Sequence, residues 1–138
     1  MAQITEDYVS FETAKLLKEK GFDEECVYFY DWDEEDEIYR ICSNGGSCNE
    51  ARFPSYYSMP TLQMAMKWFR IEHNIHIEPH IVKTKYSYGY MPNYINLKEL
   101  KQHFPFDEVD FSNVDKYVCI TYDKACEVTI KYCLEHLI

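Results

Sequence analysis

The sequence predicts an α+β protein, with an antiparallel or mixed sheet of about four or five strands and three helices packed largely on one face. Three observations predict it. Apolar residues recur at helical spacing over residues 10–20, 61–73 and 121–138. β-branched and aromatic runs fall between those segments in neighbouring pairs. The links within the pairs are too short for parallel crossovers, so antiparallel neighbours are expected. A chain of 138 residues that is 46% hydrophobic and 17% aromatic suits one domain over 1–138 and lies outside the composition of disordered chains.

In the first helix, Ser10 is an N-cap for a stretch in which Phe11, Ala14, Leu16 and Leu17 share a side. Gly21 and Phe22 supply its left-handed cap and hydrophobic contact. Cys26–Trp32 and Ile38–Cys42 form a hairpin around the acidic turn Asp33–Glu37. Ser43–Ser47, with Asn44-Gly45-Gly46, reads as loop, and irregular chain containing Tyr56-Tyr57 follows up to Pro60.

Over Thr61–His73 the polar residues Gln63, Lys67, Arg70 and Asn74 form one narrow stripe. Leu62, Ala65, Met66 and Phe69 make one buried side of this helix, and Met64, Trp68 and Ile71 a second, so Trp68 and Phe69 are both expected inside. Asn74 ends it. Ile75, Ile77, Ile81 and Val82 then read as a strand with an edge position or bulge at Pro79. A short helix is expected at Leu97–His103, stopped by Pro105, and a last strand at Lys116–Thr121. Thr121 or Asp123 caps the final helix, whose inner face is Cys126, Ile130, Cys133 and Leu137, joined by Ala125 and Leu134.

Composition excludes several function classes. Four glycines (Gly21, Gly45, Gly46, Gly89) are too few for a dinucleotide fingerprint or a phosphate-binding loop. No apolar run approaches the roughly 20 residues of a membrane helix, and Met1–Phe11 has no basic segment followed by an apolar stretch. A cytoplasmic protein without membrane contact is the expectation. The net charge of −10 is concentrated: residues 1–37 carry thirteen acids against Lys15, Lys18 and Lys20, whereas the other 101 residues balance. That field disfavours nucleic acid and anionic lipid and suits a basic partner protein. A solvated turn that serves solubility accounts for the same charge.

Six cysteines (Cys26, Cys42, Cys48, Cys119, Cys126, Cys133) show neither zinc-ribbon nor redox spacing and read as structural thiols packed like small hydrophobes.

Tyr8–Phe22, Pro60–Phe69 and Ala125–Leu134 together cover about a quarter of the chain. Their wording resembles a set of small, largely uncharacterised proteins encoded by phages and prophages of gut Bacteroidales. All three stretches are packing helices, so the resemblance implies a shared fold and a mobile-element context and carries no catalytic residue. Segments 43–59 and 91–113 lie outside it.

Three groups of residues are candidate sites. His76, Glu78 and His80 alternate in extended chain, as a first-row metal would use them, although Pro79 disturbs the alternation and an outward polar face explains the same pattern. His73, at a helix C-terminus, is placed where a cation is favoured. Lys83, Lys85, Tyr86, Tyr88, Tyr90 and Tyr94 interleave base and aromatic. This is the composition of a base-stacking platform, of cross-strand aromatic packing, or of a protein-binding patch rich in tyrosine. Asp33, Glu34, Glu35 and Asp36 are the third group. Adjacent carboxylates on a turn diverge, whereas a metal site needs them converging from separate elements.

No nucleophile elbow or Cys–His family pattern occurs. The function expected is therefore non-enzymatic protein binding by a phage or prophage accessory protein, without a cofactor. Its candidate surfaces are Asp33, Glu34, Glu35 and Asp36, and Tyr86, Tyr88 and Tyr90. The alternative is a small hydrolytic enzyme, metal-dependent through His76, His80 and dispersed acids.

Overall fold

Ser10 starts helix α1 (Phe11–Glu19) by accepting a hydrogen bond from the Thr13 amide at 3.2 Å. Gly21, at φ +90°, ends it and lets the Phe22 amide reach back to the Leu17 carbonyl at 3.0 Å. Both ends follow from cap chemistry legible in the chain. The structure, a computed structural model, describes residues 4–138, with only the backbone described at Asn44 and Gly45. The expectations for residues 1–3 lie outside the described residues.

The class is α+β, but the strands do not merge into one sheet. Among the described residues, eight short strands form three small antiparallel sheets, ordered β2-β1-β3, β4-β7-β8 and β5-β6. The chain divides into two compact units, one ending at Ala65 and the other spanning Met66–Ile138.

In the first unit β1 (Cys26–Asp33) pairs with β2 (Ile38–Gly46) and with β3 (Tyr56–Ser58). The expected hairpin is present and longer than its apolar run. β2 continues through the expected loop to Gly46, because β1 offers partners as far as Cys26 across a register irregularity between Cys26 and Tyr28. The chain expected to be irregular before Pro60 contributes β3. Phe11 of α1 stacks on Trp32 at 5.1 Å and on Tyr39 at 4.9 Å and meets Tyr30 and Tyr57 edge-on. This aromatic cluster ties α1 to one face of the sheet.

Helix α2 (Leu62–His73) ends at Asn74, which takes a positive φ of 55°. Trp68 and Phe69 are 6% and 0% exposed, as its narrow polar stripe requires. The expected second inner side fails at Met64 and Ile71, which are exposed, leaving Trp68 its only buried member.

In the second unit, Pro79 goes further than an edge or bulge. Without an N–H it cannot continue a ladder, and the expected strand breaks into β4 (Ile75–Ile77), paired with β7 (Tyr94–Asn96), and β5 (His80–Lys83), paired with β6 (Tyr88–Met91). The helix expected at Leu97–His103 is absent. Asn96 Oδ1 accepts from the Lys98 and Glu99 amides at 3.0 and 3.3 Å, Leu100 takes φ +53°, and the chain turns back as β8 (Lys101–His103) against β7. The strand expected at Lys116–Thr121 shrinks to one bridge, Cys119 with Tyr90, after a 3₁₀ segment at Phe111–Tyr117. Gly89 permits that bridge, since a Cβ there would lie 2.7 Å from the Cys119 carbonyl oxygen.

Thr121 caps α3 (Tyr122–His136), which packs against β4 and β6. Ala125, Cys126, Ile130, Cys133 and Leu134 are buried as expected, joined by Thr129, whose hydroxyl donates to the Ala125 carbonyl at 2.8 Å. Leu137 is exposed, because the helix ends before it and Leu137 serves as the C-cap.

Candidate functional site

The acidic turn is held by one of its own carboxylates. Asp33 Oδ1 accepts from the Glu35 and Asp36 amides at 3.0 and 3.2 Å, and Glu37 completes the reversal at φ +54°. Glu34, Glu35 and Asp36 project into solvent. Behind the turn, Asp31 pairs with Arg40 across the hairpin at 3.2 Å. The carboxylates diverge, which suits long-range attraction of a cation or basic chain better than inner-sphere chelation.

The tyrosines sit on the β5-β6 hairpin. Thr84 closes its turn, its amide donating to the Ser87 carbonyl at 2.9 Å and its hydroxyl accepting from the Ser87 amide at 3.1 Å. Register places Ile81 opposite Tyr90 and Lys83 opposite Tyr88, so these four side chains share one face. Ile81 is 67% and Tyr88 61% exposed; Tyr86, at the tip, is 88% exposed with Lys85 Nζ 5.2 Å from its ring centre. Tyr90 is half-buried and edge-on to Tyr88 at 6.3 Å and to Tyr122 at 5.7 Å. The opposite face, with Val82, Gly89 and Met91, turns inward. Cross-strand packing therefore accounts for Tyr90, but not for Tyr86.

Tyr94 does not join this group. It is buried on β7 and stacked on His103 at 5.2 Å, and burial, with smaller contributions from Cys133 and Tyr132, pushes its hydroxyl up to about 12.

His76, Glu78 and His80 do not converge. His76 Nε2 lies 3.4 Å from Glu78 Oε2, whereas His80, on the other side of Pro79, directs Nε2 to Asn93 Nδ2 at 3.1 Å. Among the described residues no group of three His, Cys, Asp or Glu side chains is placed to hold a metal ion. The expectation of a favoured cation at His73 is overturned. Its ring lies 4.6 Å from that of Trp68, its Nε2 is buried without a hydrogen-bond partner, and burial outweighs the nearby Glu72 to hold its pKa below the ordinary value.

All six cysteines are free thiols, four of them buried and Cys42 and Cys119 half-buried. Burial pushes Cys26 up to about 11, with smaller contributions from Cys48 and Glu24, and Cys133 up to about 12. Such thiols are poor nucleophiles at neutral pH.

Two clefts open in the second unit. One, of about 500 Å³, is lined by residues including Glu72, His73, Tyr94, Glu99 and His103; the other, of about 230 Å³, by residues including His80, Val82, Met91, Phe104, Phe111 and Val118. In the larger, His103 is committed to stacking on Tyr94. Its lining contains no serine, threonine or cysteine to serve as a nucleophile.

Sequence reasoning missed one surface. Strand β2 lies at the edge of its sheet, and its outer edge pairs with no other strand among the described residues. Ile38 and Ile41 are 53% and 56% exposed along it. Alternating apolar residues on both faces read as core, and nothing local in the chain marks which strand of a hairpin remains outermost.

No helix among the described residues is long and apolar enough to cross a membrane. No protein-family model, curated protein or solved structure matches the chain.

Proposed function

We propose that the chain is a non-enzymatic accessory protein of a phage or prophage, working in the host cytoplasm by binding a protein through the outward face of the β5-β6 hairpin. The observation that carries this reading is the exposure of Ile81 and Tyr88 on one face of regular strands, diagonal to each other, with Tyr86 beyond them at the tip. Single exposed apolar residues are ordinary; a cluster on one sheet face marks an interface, and tyrosine is enriched in interface hot spots. Lys83 and Lys85 add positive charge at the rim, which favours a partner with an apolar centre bordered by carboxylates. A nucleic-acid strand would meet the same two lysines together with a chain of net charge −10, and is disfavoured for that reason. The phage context rests on the resemblance of the three helical stretches.

The test is co-purification from a Bacteroidales host with tagged wild type and with an Ile81→Ser/Tyr88→Ser variant. A protein retained by wild type at about 1 M salt, where exposed charges are screened, and lost by the variant supports the reading. A partner that leaves with salt or still binds the variant overturns it.

A further inference from the structure

We propose that the outer edge of β2 takes up an extended, basic peptide segment as an additional antiparallel strand, a surface separate from the β5-β6 face. Over Ile38–Ser43 the β1-β2 register is regular, so the edge runs without a bulge for six residues before the irregularity at Cys26 and Tyr28, a length of roughly 20 Å. Edge strands are ordinarily blunted by proline, by inward-pointing charge or by very short length. β2 has nine residues and no proline, and its single charged side chain, Arg40, is paired with Asp31. On the α1 side, Tyr39 is already stacked on Phe11, while Ile41, directly opposite the buried Tyr30, stands uncovered. A strand laid beside β2 would cover Ile41 with an apolar side chain and extend the aromatic cluster by one column.

Charge selects the occupant. The N-terminal end of β2 abuts Asp33–Glu37, where Glu35 and Asp36 hold the turn through their backbone amides and the carboxylates of Glu34, Glu35 and Asp36 stand exposed. A segment running antiparallel to β2 brings its C-terminal end to that turn, so lysine or arginine belongs there, with alternating apolar residues before it. A second copy fits less well. Antiparallel pairing of two β2 strands sets each acidic turn against the other's Ser43–Gly46 end, which carries no basic group.

The probe is the peptide Thr-Val-Thr-Val-Thr-Val-Lys-Lys-Lys, labelled at its N-terminus and titrated against the full chain by fluorescence anisotropy. Amide exchange is followed over residues 38–43. The expected result is saturable binding that weakens with salt, together with new protection over those residues. Methylating alternate peptide amides on the bonded side keeps every side chain but removes main-chain donors, and should weaken binding by about tenfold or more. Ile41→Lys, at an exposed position, should do the same without changing the melting curve, and replacing the three lysines by glutamate should abolish binding. Equal affinity of the methylated peptide, no protection over 38–43, or no binding at millimolar peptide overturns the proposal. A concentration-dependent dimer abolished by Ile41→Lys, with the peptide inert, also overturns it by making a second copy the occupant.

Discussion

Lys18 Nζ donates to the Tyr56 carbonyl at 2.7 Å and to the Phe53 carbonyl at 2.8 Å, so one lysine of α1 anchors the chain that leads into β3. Its ammonium also lies 4.7 Å from the Tyr57 ring centre. Lys18 is thus a cross-link between residues 38 apart in the sequence. Charge-assisted bonds to carbonyls are the stronger kind, so Lys18→Met, which keeps the aliphatic stem, should cost about 2 kcal/mol in urea unfolding. Lys18→Arg should recover part of it.

The acidic turn divides its labour. Replacing Glu34, Glu35 and Asp36 by serine should leave the melting temperature within about 2 °C of wild type, because exposed side chains without partners contribute little. Asp33→Ala removes the acceptor of two turn amides and should cost about 1 kcal/mol. Thermal melts of the two variants side by side check the division.

Gly89→Ala tests the close approach of β6 to the segment at Cys119. The added methyl would meet the Cys119 carbonyl oxygen at 2.7 Å and also the Val118 side chain, so β6 or the segment at Cys119 must move and the Tyr90–Cys119 bridge opens. A loss of about 1–3 kcal/mol is expected. Faster amide exchange at Tyr90 and Cys119 would locate the damage.

His73 gives stability a defined pH dependence. Its folded pKa lies below the ordinary 6.5, chiefly because burial disfavours the charged ring. The unfolded chain therefore binds the proton first as pH falls, and the contribution of the neutral ring is complete above about pH 6.5. Stability should decline from there towards the folded pKa and level off once both states are protonated. Chemical denaturation at a series of pH values should show this slope in wild type and a shallower one in His73→Phe.

Thiol chemistry distinguishes the cysteines. Native mass measurement should show six free thiols, and brief iodoacetamide treatment at pH 8 should label Cys42 first. Cys26 and Cys133 should resist until the chain is unfolded, being buried and with pKa values pushed to about 11 and 12. Peptide mapping that finds Cys133 modified as fast as Cys42 would contradict the packing of α3.

The helices were legible because their signals are local. Ser10, Gly21, Asn74 and Thr121 act on amides and carbonyls within a few residues, and the stripe Gln63–Lys67–Arg70–Asn74 reports burial by geometry alone. The strands were less so. Whether Tyr56–Ser58 pairs, or Lys116–Thr121 pairs at all, depends on what β1 and β6 present to them, and a chain read one window at a time does not contain that. Asn96 misleads in the same way, since Asn96-Leu97-Lys98-Glu99 has the form of a helix N-terminus, and the pairing of Lys101–His103 with β7 makes it a turn instead. Among the candidate site residues, the exposure of Asp33–Asp36 and Tyr86 followed from turn chemistry. The separation of His80 from His76 followed from Pro79. The burial of Tyr94 depended on neighbours distant in sequence, His103 and Tyr132 among them.

By dividing one expected strand, Pro79 also shortens the path the chain must search. β1 with β2, β5 with β6 and β7 with β8 are each neighbours along the sequence, whereas the β1-β3 and β4-β7 pairings and the Tyr90–Cys119 bridge close longer loops. Loop-closure entropy is thus small for most of the ladder contacts, and proteins rich in such contacts fold faster than sheets assembled from remote strands. An unbroken strand from Ile75 to Lys83 would have required β6 and β7 to find the same ribbon in register. With the proline, β4 pairs with β7 and β5 with β6, each in its own register.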